Sequence, residues 1–209
     1  MKVEIWSDVM CPFCYIGKKR FEDALKQFSN AGEVQVEWKS FQLNPNLKTD
    51  ASKNLNQFLA EHKGISVERA EEMNAYVTQM AKDSGLEYHL EKAVPANSFD
   101  AHRISHLAKK SGVQNELEEL LFKAYFTEGK NTADHNVLRD LALKAGCAEN
   151  EIDVVLDSDQ YAGDVQHDIS EANAIGVRGV PFFVFDRKYA VSGAQDVSVF
   201  IKTMQSASA

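Results

Sequence analysis

The stretch Cys11-Pro12-Phe13-Cys14 places two cysteines three residues apart, at the point where a short apolar run gives way to a helical pattern. The run Val3–Trp6 predicts a strand, and from Tyr15 onward apolar residues recur at helical spacing. Cysteines at positions i and i+3 of a helix lie on one side of it, close enough for a disulfide. The first would lie at the helix N-terminus, where unpaired N–H groups and the helix dipole favour the thiolate. The leading interpretation is therefore a redox-active disulfide, with Cys11 as nucleophile and Cys14 as resolving thiol.

Three other interpretations of the two cysteines stay open at this point. A structural zinc site needs about four ligands, whereas the chain has one Cys-x-x-Cys and a distant Cys147. A purely structural disulfide is less needed in a chain of 209 residues, which is long enough to bury a proper core. The third interpretation is a chance pairing of two buried thiols, because a lone Cys-x-x-Cys also occurs without a function.

Length and composition are those of one large globular domain, or of one domain that carries an insertion. The net charge of −8 and the lack of any Lys/Arg block argue against nucleic acid and anionic membrane surfaces as partners. The chain reaches Asp8 before an apolar stretch can form, so we expect no signal peptide. We expect a cytoplasmic protein, and in a reducing compartment a vicinal thiol pair is more often catalytic or redox-sensing than structural.

A helical pattern occupies nearly the whole chain from Asn54 to Gly176, where one glycine after another ends an amphipathic segment. Strand patterns lie only towards the two ends. Val34–Trp38 alternates and continues into Phe41–Leu43, and Phe182–Phe185 is followed by a two-residue polar turn and Tyr189–Val191.

This order predicts an α/β fold in which an all-helical insertion interrupts a domain made from both ends of the chain. We place the insertion at residues 51–148 and the two parts of the interrupted domain at residues 1–50 and 149–209. A sheet built from both ends would bring Cys11 near Pro181.

Further motifs lie at both ends of the chain and in its middle. They are Ser7-Asp8 before the cysteines, Tyr15-Ile16-Gly17 after them, Asn97-Ser98-Phe99-Asp100-Ala101-His102-Arg103, Gly179-Val180-Pro181-Phe182-Phe183 and Ser192-Gly193-Ala194-Gln195. Together with Cys-Pro-x-Cys they resemble the DsbA family, in which a helical domain interrupts a thioredoxin fold, and within it the FrnE-like branch. The resemblance spans nearly the whole chain.

The resemblance implies a protein thiol-disulfide oxidoreductase or isomerase whose substrates are proteins that contain thiols or disulfides. Cys11 would attack, Cys14 would resolve the mixed disulfide, and Pro181 would be a cis-proline facing the pair. The redox-active disulfide would serve without a further cofactor or a metal, and glutathione is a candidate electron donor.

The residues beside the cysteines would contact the substrate. The backbone of Val180 can pair with an extended chain as an added strand, and Pro12 and Phe13 would border it. Strongly oxidising relatives have a histidine where this chain has Phe13, so we expect a potential on the more reducing side.

Two other functions stay open, and so does the oligomeric state. Glutathione-dependent isomerases of the 2-hydroxychromene-2-carboxylate type resemble this layout, but they have serine where Cys11 stands and need no resolving thiol. The other alternative is a peptide-binding holdase in which the cysteines are incidental.

The remaining polar candidates have plainer interpretations. His102 and His106 stand four apart on one predicted helix, but no third ligand is spaced with them, so we expect surface or capping histidines. We expect Asp8 to be a turn or cap carboxylate and Cys147 to be a thiol without a role in the reaction. We expect the aromatic ring of Phe13 to be exposed beside the two thiols.

Overall fold

The computed structural model describes residues 1–208. Besides the elements given below, it contains a short 3-10 helix at Ala31–Glu33. Within these residues no helix is both long and apolar enough to cross a membrane. The elements, in chain order, are β1 (Lys2–Ser7), α1 (Pro12–Leu25), β2 (Gln35–Ser40), α2 (Leu55–Lys63), α3 (Val67–Asp83), α4 (Phe99–Lys110), α5 (Gln114–Phe126), α6 (His135–Ala145), α7 (Glu149–Leu156), α8 (Ala162–Ala174), β3 (Phe182–Phe185), β4 (Tyr189–Ser192) and α9 (Val197–Ser208).

Residues 1–208 contain a sheet of four strands in the order β2-β1-β3-β4. β1 pairs in parallel with β2, and it pairs antiparallel with β3, where Ile5 lies opposite Phe183. The central pair of strands therefore joins the two ends of the chain. This confirms the predicted α/β class, whereas the domain boundaries at 50/51 and 148/149 stay a prediction.

One face of the sheet is covered by α1 and α9 through an aromatic core. Phe21 of α1, Phe183 of β3 and Phe200 of α9 are almost fully buried. Their ring centroids lie 4.8 to 5.8 Å apart, at the tilted and edge-on angles that aromatic rings prefer. This packing fixes α1, and with it the cysteines at its start, against the sheet.

The predicted helical block is interrupted by a non-helical segment between α3 and α4. Pro95 disfavours helix there, and two side chains of this segment, Tyr88 and Leu90, are buried and so help to fill the interior. The backbone N–H of His89 also donates to the carbonyl of Phe126 at the end of α5. Tertiary packing thus takes the place of local helix bonds in this stretch.

Two predicted strand details are wrong. β2 ends at Ser40 and does not include Phe41–Leu43. The loop between β3 and β4 has three residues instead of two, and Asp186 and Arg187 adopt positive φ values of 47° and 56°. Tertiary bonds hold this loop, because the Asp186 carboxylate accepts from the Lys2 N–H at 2.6 Å and Arg187 binds Glu4.

The insertion is tied to the sheet at the outer edge of β2. The Gln114 side-chain amide accepts from the Trp38 N–H at 3.1 Å and donates to the Trp38 carbonyl at 3.0 Å. One side chain of α5 thus satisfies the backbone groups that a neighbouring strand would otherwise bind.

A buried charge network covers the other face of the sheet. The Asp168 carboxylate of α8 accepts from the Ser40 N–H and the Lys39 ammonium, both at 2.9 Å, and lies 3.1 Å from His106 Nε2. Burial alone would raise the pKa of Asp168, but hydrogen bonds from His106, Ser40 and Lys39 outweigh it and lower that pKa to about 2. Ionised Asp168 therefore stabilises the folded state above the pKa of an unfolded aspartate, and this stabilisation is lost as the pH falls towards 2.

We expect Asp168→Asn to lower the free energy of unfolding at pH 7 by roughly 2–3 kcal/mol, because it removes the most buried of the three carboxylates that pair with Lys39. Urea unfolding followed by circular dichroism measures this, and the difference from the native chain should shrink as the pH falls from 4 to 2. Asp164→Asn, at an exposed position in the first turn of the same helix, is the control and should lower stability by no more than about 1 kcal/mol, the size of a helix-dipole effect. Equal stabilities of the two variants would contradict the assignment.

Candidate active site

The turn after β1 places Cys11 at the start of α1. The Cys11 N–H donates to the Asp8 carbonyl at 3.0 Å, and Cys11 keeps an extended conformation, with φ −88° and ψ 111°, as the N-cap residue. Pro12 is the first helical residue, where its missing N–H has no cost. Cys11 therefore lies next to the N–H groups of the first turn of α1, as the sequence predicts.

The two thiols differ in surroundings. Cys11 is 3% exposed, whereas Cys14 is completely buried one turn into the helix. Burial, followed by hydrogen bonding to Cys11 and the charge of Cys11, raises the pKa of Cys14 well above its ordinary value. Cys14 is therefore a neutral thiol near pH 7. Phe13 between them is 38% exposed, which confirms the expected apolar surface beside the dithiol.

The loop before β3 meets the start of α1. The peptide bond Val180–Pro181 is cis, and the Cys11 thiol donates to the Val180 carbonyl at 3.4 Å. The two end motifs of the sequence are thus in direct contact, and Val180 presents its backbone next to the first sulfur. The structure brings together all six predicted site residues, namely Cys11, Pro12, Phe13, Cys14, Val180 and Pro181, while their catalytic and substrate-binding roles stay predictions.

Gly17 makes this contact possible. It lies on the face of α1 that meets Pro181, and a β-carbon built on Gly17 would come within 2.8 Å of Pro181 Cγ and 3.3 Å of the Phe183 ring. Any side chain here would push the loop away from the helix. The motif Tyr15-Ile16-Gly17 thus has a steric reason for its glycine.

Tyr88 connects the insertion to the same turn. Its hydroxyl donates to the Pro12 carbonyl at 2.7 Å, and its ring stacks on Phe126 with centroids 4.7 Å apart. The sequence analysis did not identify Tyr88 as a site residue. A single tyrosine in an irregular segment gives no sign that its hydroxyl bonds to a carbonyl 76 residues earlier in the chain.

A cavity of about 750 Å³ lies beside the dithiol, between the start of α1 and the hairpin formed by α2 and α3. Its size is that of a ligand-binding pocket. The lining is mostly apolar and includes Cys11, Phe13, Val180, Phe58, Met73 and Tyr76.

The two histidines of α4 are buried, which contradicts the expected surface or capping role. His102 is 3% exposed and lies near Asp8, while His106 is 7% exposed and pairs with Asp168. Each faces a carboxylate from a distant segment, so the spacing of the histidines along their own helix gave no sign of either partner. Cys147 is a buried free thiol beyond the end of α6.

The chain is similar in sequence and in structure to known proteins. The sequence profile of the DSBA-like thioredoxin domain matches residues 2–205. A probable DsbA oxidoreductase from Streptomyces coelicolor is 37% identical, with a TM-score of 0.92 over 99% of this chain and 89% of that one. The Bacillus subtilis protein YwbO is 28% identical over 97% of this chain and 94% of its own.

A more distant structure shares the fold. The cytosolic disulfide reductase DsbM from Pseudomonas aeruginosa has a TM-score of 0.69 at 14% identity, over 99% of this chain and 98% of that one. These similarities confirm the predicted thioredoxin-like fold and the resemblance to the DsbA family.

We expect Gly17→Ala to lower the free energy of unfolding by about 1 kcal/mol or more, because overpacking against Pro181 outweighs the gain in helix propensity. Gly163→Ala is the matched control, because Gly163 is also helical but has no atom within 4 Å of its added β-carbon. The control should gain roughly 0.5–1 kcal/mol. Chemical denaturation of both variants measures the contrast, and a stabilised Gly17→Ala would show that the loop does not press on the helix.

Proposed function

We propose, since this chain belongs to the family of DSBA-like thioredoxin domains, that it is a protein thiol-disulfide oxidoreductase or isomerase. The observation that carries the proposal is the contact of Cys11 with Val180. It places a thiol at the start of a helix, next to a second thiol and against a backbone carbonyl that can bind an extended chain.

The chemistry follows from the different positions of the two thiols. The Cys11 thiolate attacks one sulfur of a substrate disulfide, so a bond forms between Cys11 and that sulfur while the other substrate sulfur leaves as a thiolate. Cys14 then attacks Cys11, the Cys11–Cys14 disulfide forms, and the second substrate sulfur leaves. The substrate is reduced by two electrons and the protein is oxidised by two, and the reverse order oxidises a dithiol substrate.

The surroundings of Cys11 favour polypeptide substrates. The Val180 backbone offers hydrogen-bonding groups to an added strand, Phe13 and Pro12 border the thiol, and the apolar cavity continues from them under the α2–α3 hairpin. Glutathione, a small thiol, is a candidate electron donor for the same dithiol. The presence of the second thiol, Cys14, favours a thiol-disulfide oxidoreductase over a glutathione-dependent isomerase, because the isomerase needs no resolving cysteine.

The cysteine motif supports one direction of the reaction. Phe13 carries no positive charge, so the Cys-Pro-Phe-Cys loop itself adds no cation to stabilise a thiolate. We propose a cytoplasmic reductase or isomerase that acts on proteins oxidised under stress.

Cys14→Ser should accumulate a covalent adduct with glutathione or with a protein substrate, because the mixed disulfide on Cys11 then has no resolving thiol. Mass spectrometry before and after dithiothreitol detects the adduct. Cys11→Ser should trap almost nothing, and Cys147→Ser should behave like the native chain. Equal trapping by the Cys11 and Cys14 variants would overturn the assigned roles.

The reduction potential of the Cys11–Cys14 pair should lie at roughly −180 to −230 mV, on the reducing side of the value of about −120 mV for a strong oxidant. Equilibration with glutathione redox buffers, followed by mass shift after alkylation, measures it. A value close to −120 mV would contradict the inference from Phe13, and the absence of any reversible two-electron transition would contradict the proposed function.

A further inference from the structure

The resolving thiol lies where water does not reach it. Cys14 is 0% exposed, and its raised pKa keeps it protonated near neutral pH. It must lose that proton to attack Cys11, because only a thiolate is an effective nucleophile. A group inside the protein therefore has to receive the proton.

A chain of buried polar groups leads away from Cys14 into the helical insertion. The Ser7 hydroxyl and the Asp8 backbone N–H lie close to Cys14 and favour its ionised form. The Asp8 carboxylate follows and accepts from two backbone N–H groups, those of Met10 at 3.3 Å and Leu43 at 2.7 Å. His102 of α4 lies beyond it, with Nε2 at 3.7 Å from Asp8 Oδ1.

Several polar atoms of this cluster have no hydrogen-bond partner. Ser7 Oγ, His102 Nε2 and the Tyr125 hydroxyl are all buried and unpaired. Unpaired buried polar groups cost stability, and three in one place are uncommon in a folded protein. Unpaired polar groups of this kind are expected at a site where a proton is transferred.

We propose that His102, held by Asp8, receives the proton of Cys14 through Ser7 when Cys14 resolves the mixed disulfide. His102 acts through Ser7 and Asp8 and does not touch the sulfurs, so it is a positioning residue for the proton. The inference rests on the proposed function, because it concerns the second step of that reaction.

The step is balanced. The Cys14 S–H bond breaks and its proton passes to neutral His102, which becomes an imidazolium beside the Asp8 carboxylate. The electron pair left on Cys14 forms the bond to Cys11 Sγ, and the bond between Cys11 and the substrate sulfur breaks. The substrate leaves as a thiolate, and the imidazolium later returns its proton when the disulfide is reduced again.

Asp8 gives His102 the basicity that this role needs. Burial lowers the pKa of His102, but the nearby Asp8 carboxylate, the charge of Glu118 and the Phe41 carbonyl outweigh it and raise that pKa above the ordinary value. His102 is therefore neutral, and able to accept a proton, only above this raised pKa.

The other titratable groups around the cluster are already engaged or neutral. Glu118 of α5 accepts from the Ser105 hydroxyl at 2.6 Å, and burial raises its pKa. Burial also raises the pKa values of Tyr125 and of Tyr88, the tyrosine near the two thiols. His106 is paired with Asp168. His102 is thus the base in this cluster that can change its charge in the neutral range.

Rapid mixing with 5,5′-dithiobis(2-nitrobenzoate) separates the two steps. The reduced Cys147→Ala variant serves as background throughout, so that the only thiols are Cys11 and Cys14. Attack by Cys11 releases one thionitrobenzoate, and resolution by Cys14 releases a second, which gives two phases of absorbance. Both phases are measured from pH 5.5 to 9 for the background and for His102→Gln. His106→Gln is the matched control, because it removes a second buried histidine from the same helix.

We expect the second phase of the background protein to speed up with rising pH through an inflection above 6.5, as His102 becomes neutral. In His102→Gln the second phase should lose this inflection and, above it, slow by about a hundredfold or more, the lower end of general-base effects. The first phase should stay unchanged, and His106→Gln should match the background in the second phase. An unaltered second phase in His102→Gln, or an equal loss in His106→Gln, would overturn the proposal.

Ser7→Ala provides a second variant if His102→Gln does not fold, because the Ser7 hydroxyl has no hydrogen-bond partner to leave behind. It should slow the second phase alone, and an unchanged second phase would count against the relay. A background protein that shows a first phase but never a second would instead overturn the proposed function, since Cys14 would then not resolve at all.

Discussion

The close approach of helix α1 to the loop before β3 is the constraint on which the rest of the structure depends. The Cys11 thiol lies 3.4 Å from the Val180 carbonyl, and Gly17 leaves no room for a β-carbon beside Pro181. Such a contact tolerates shifts of only a few tenths of an ångström. The strands β1 and β3 must therefore pair in a single register. The aromatic packing must also hold α1 at a single distance from the sheet.

The insertion belongs to the site as much as the sheet does. Tyr88 holds the Pro12 carbonyl, His102 lies beside Asp8, and the hairpin of α2 and α3 encloses the cavity next to Cys11. Helix α1 and the loop before β3 supply the two sulfurs and the Val180 carbonyl, whereas the insertion supplies groups that surround them. Changes in the insertion can therefore alter the chemistry of a dithiol to which it contributes no sulfur.

Much of this architecture could be predicted from the sequence, because it depends on local sequence patterns. The helix starting at Pro12, the C-terminal hairpin and the glycine ends at Gly64, Gly112 and Gly146 follow from periodicity and backbone preference. The burial of His102 and the reach of Tyr88 could not be predicted. Their partners come from distant segments, and the pairing of buried polar groups is decided only when tertiary packing removes them from water.

The position of β1 between β2 and β3 has a consequence for the order in which the protein is made. A ribosome synthesises the cysteines first, and Val180 follows 169 residues later. At the usual pace of synthesis this delay is roughly 10 to 30 s. Until Val180 is made, the Cys11 thiol lacks the carbonyl that it contacts in the folded protein. The contact that defines the site is therefore among the last that the growing chain can form.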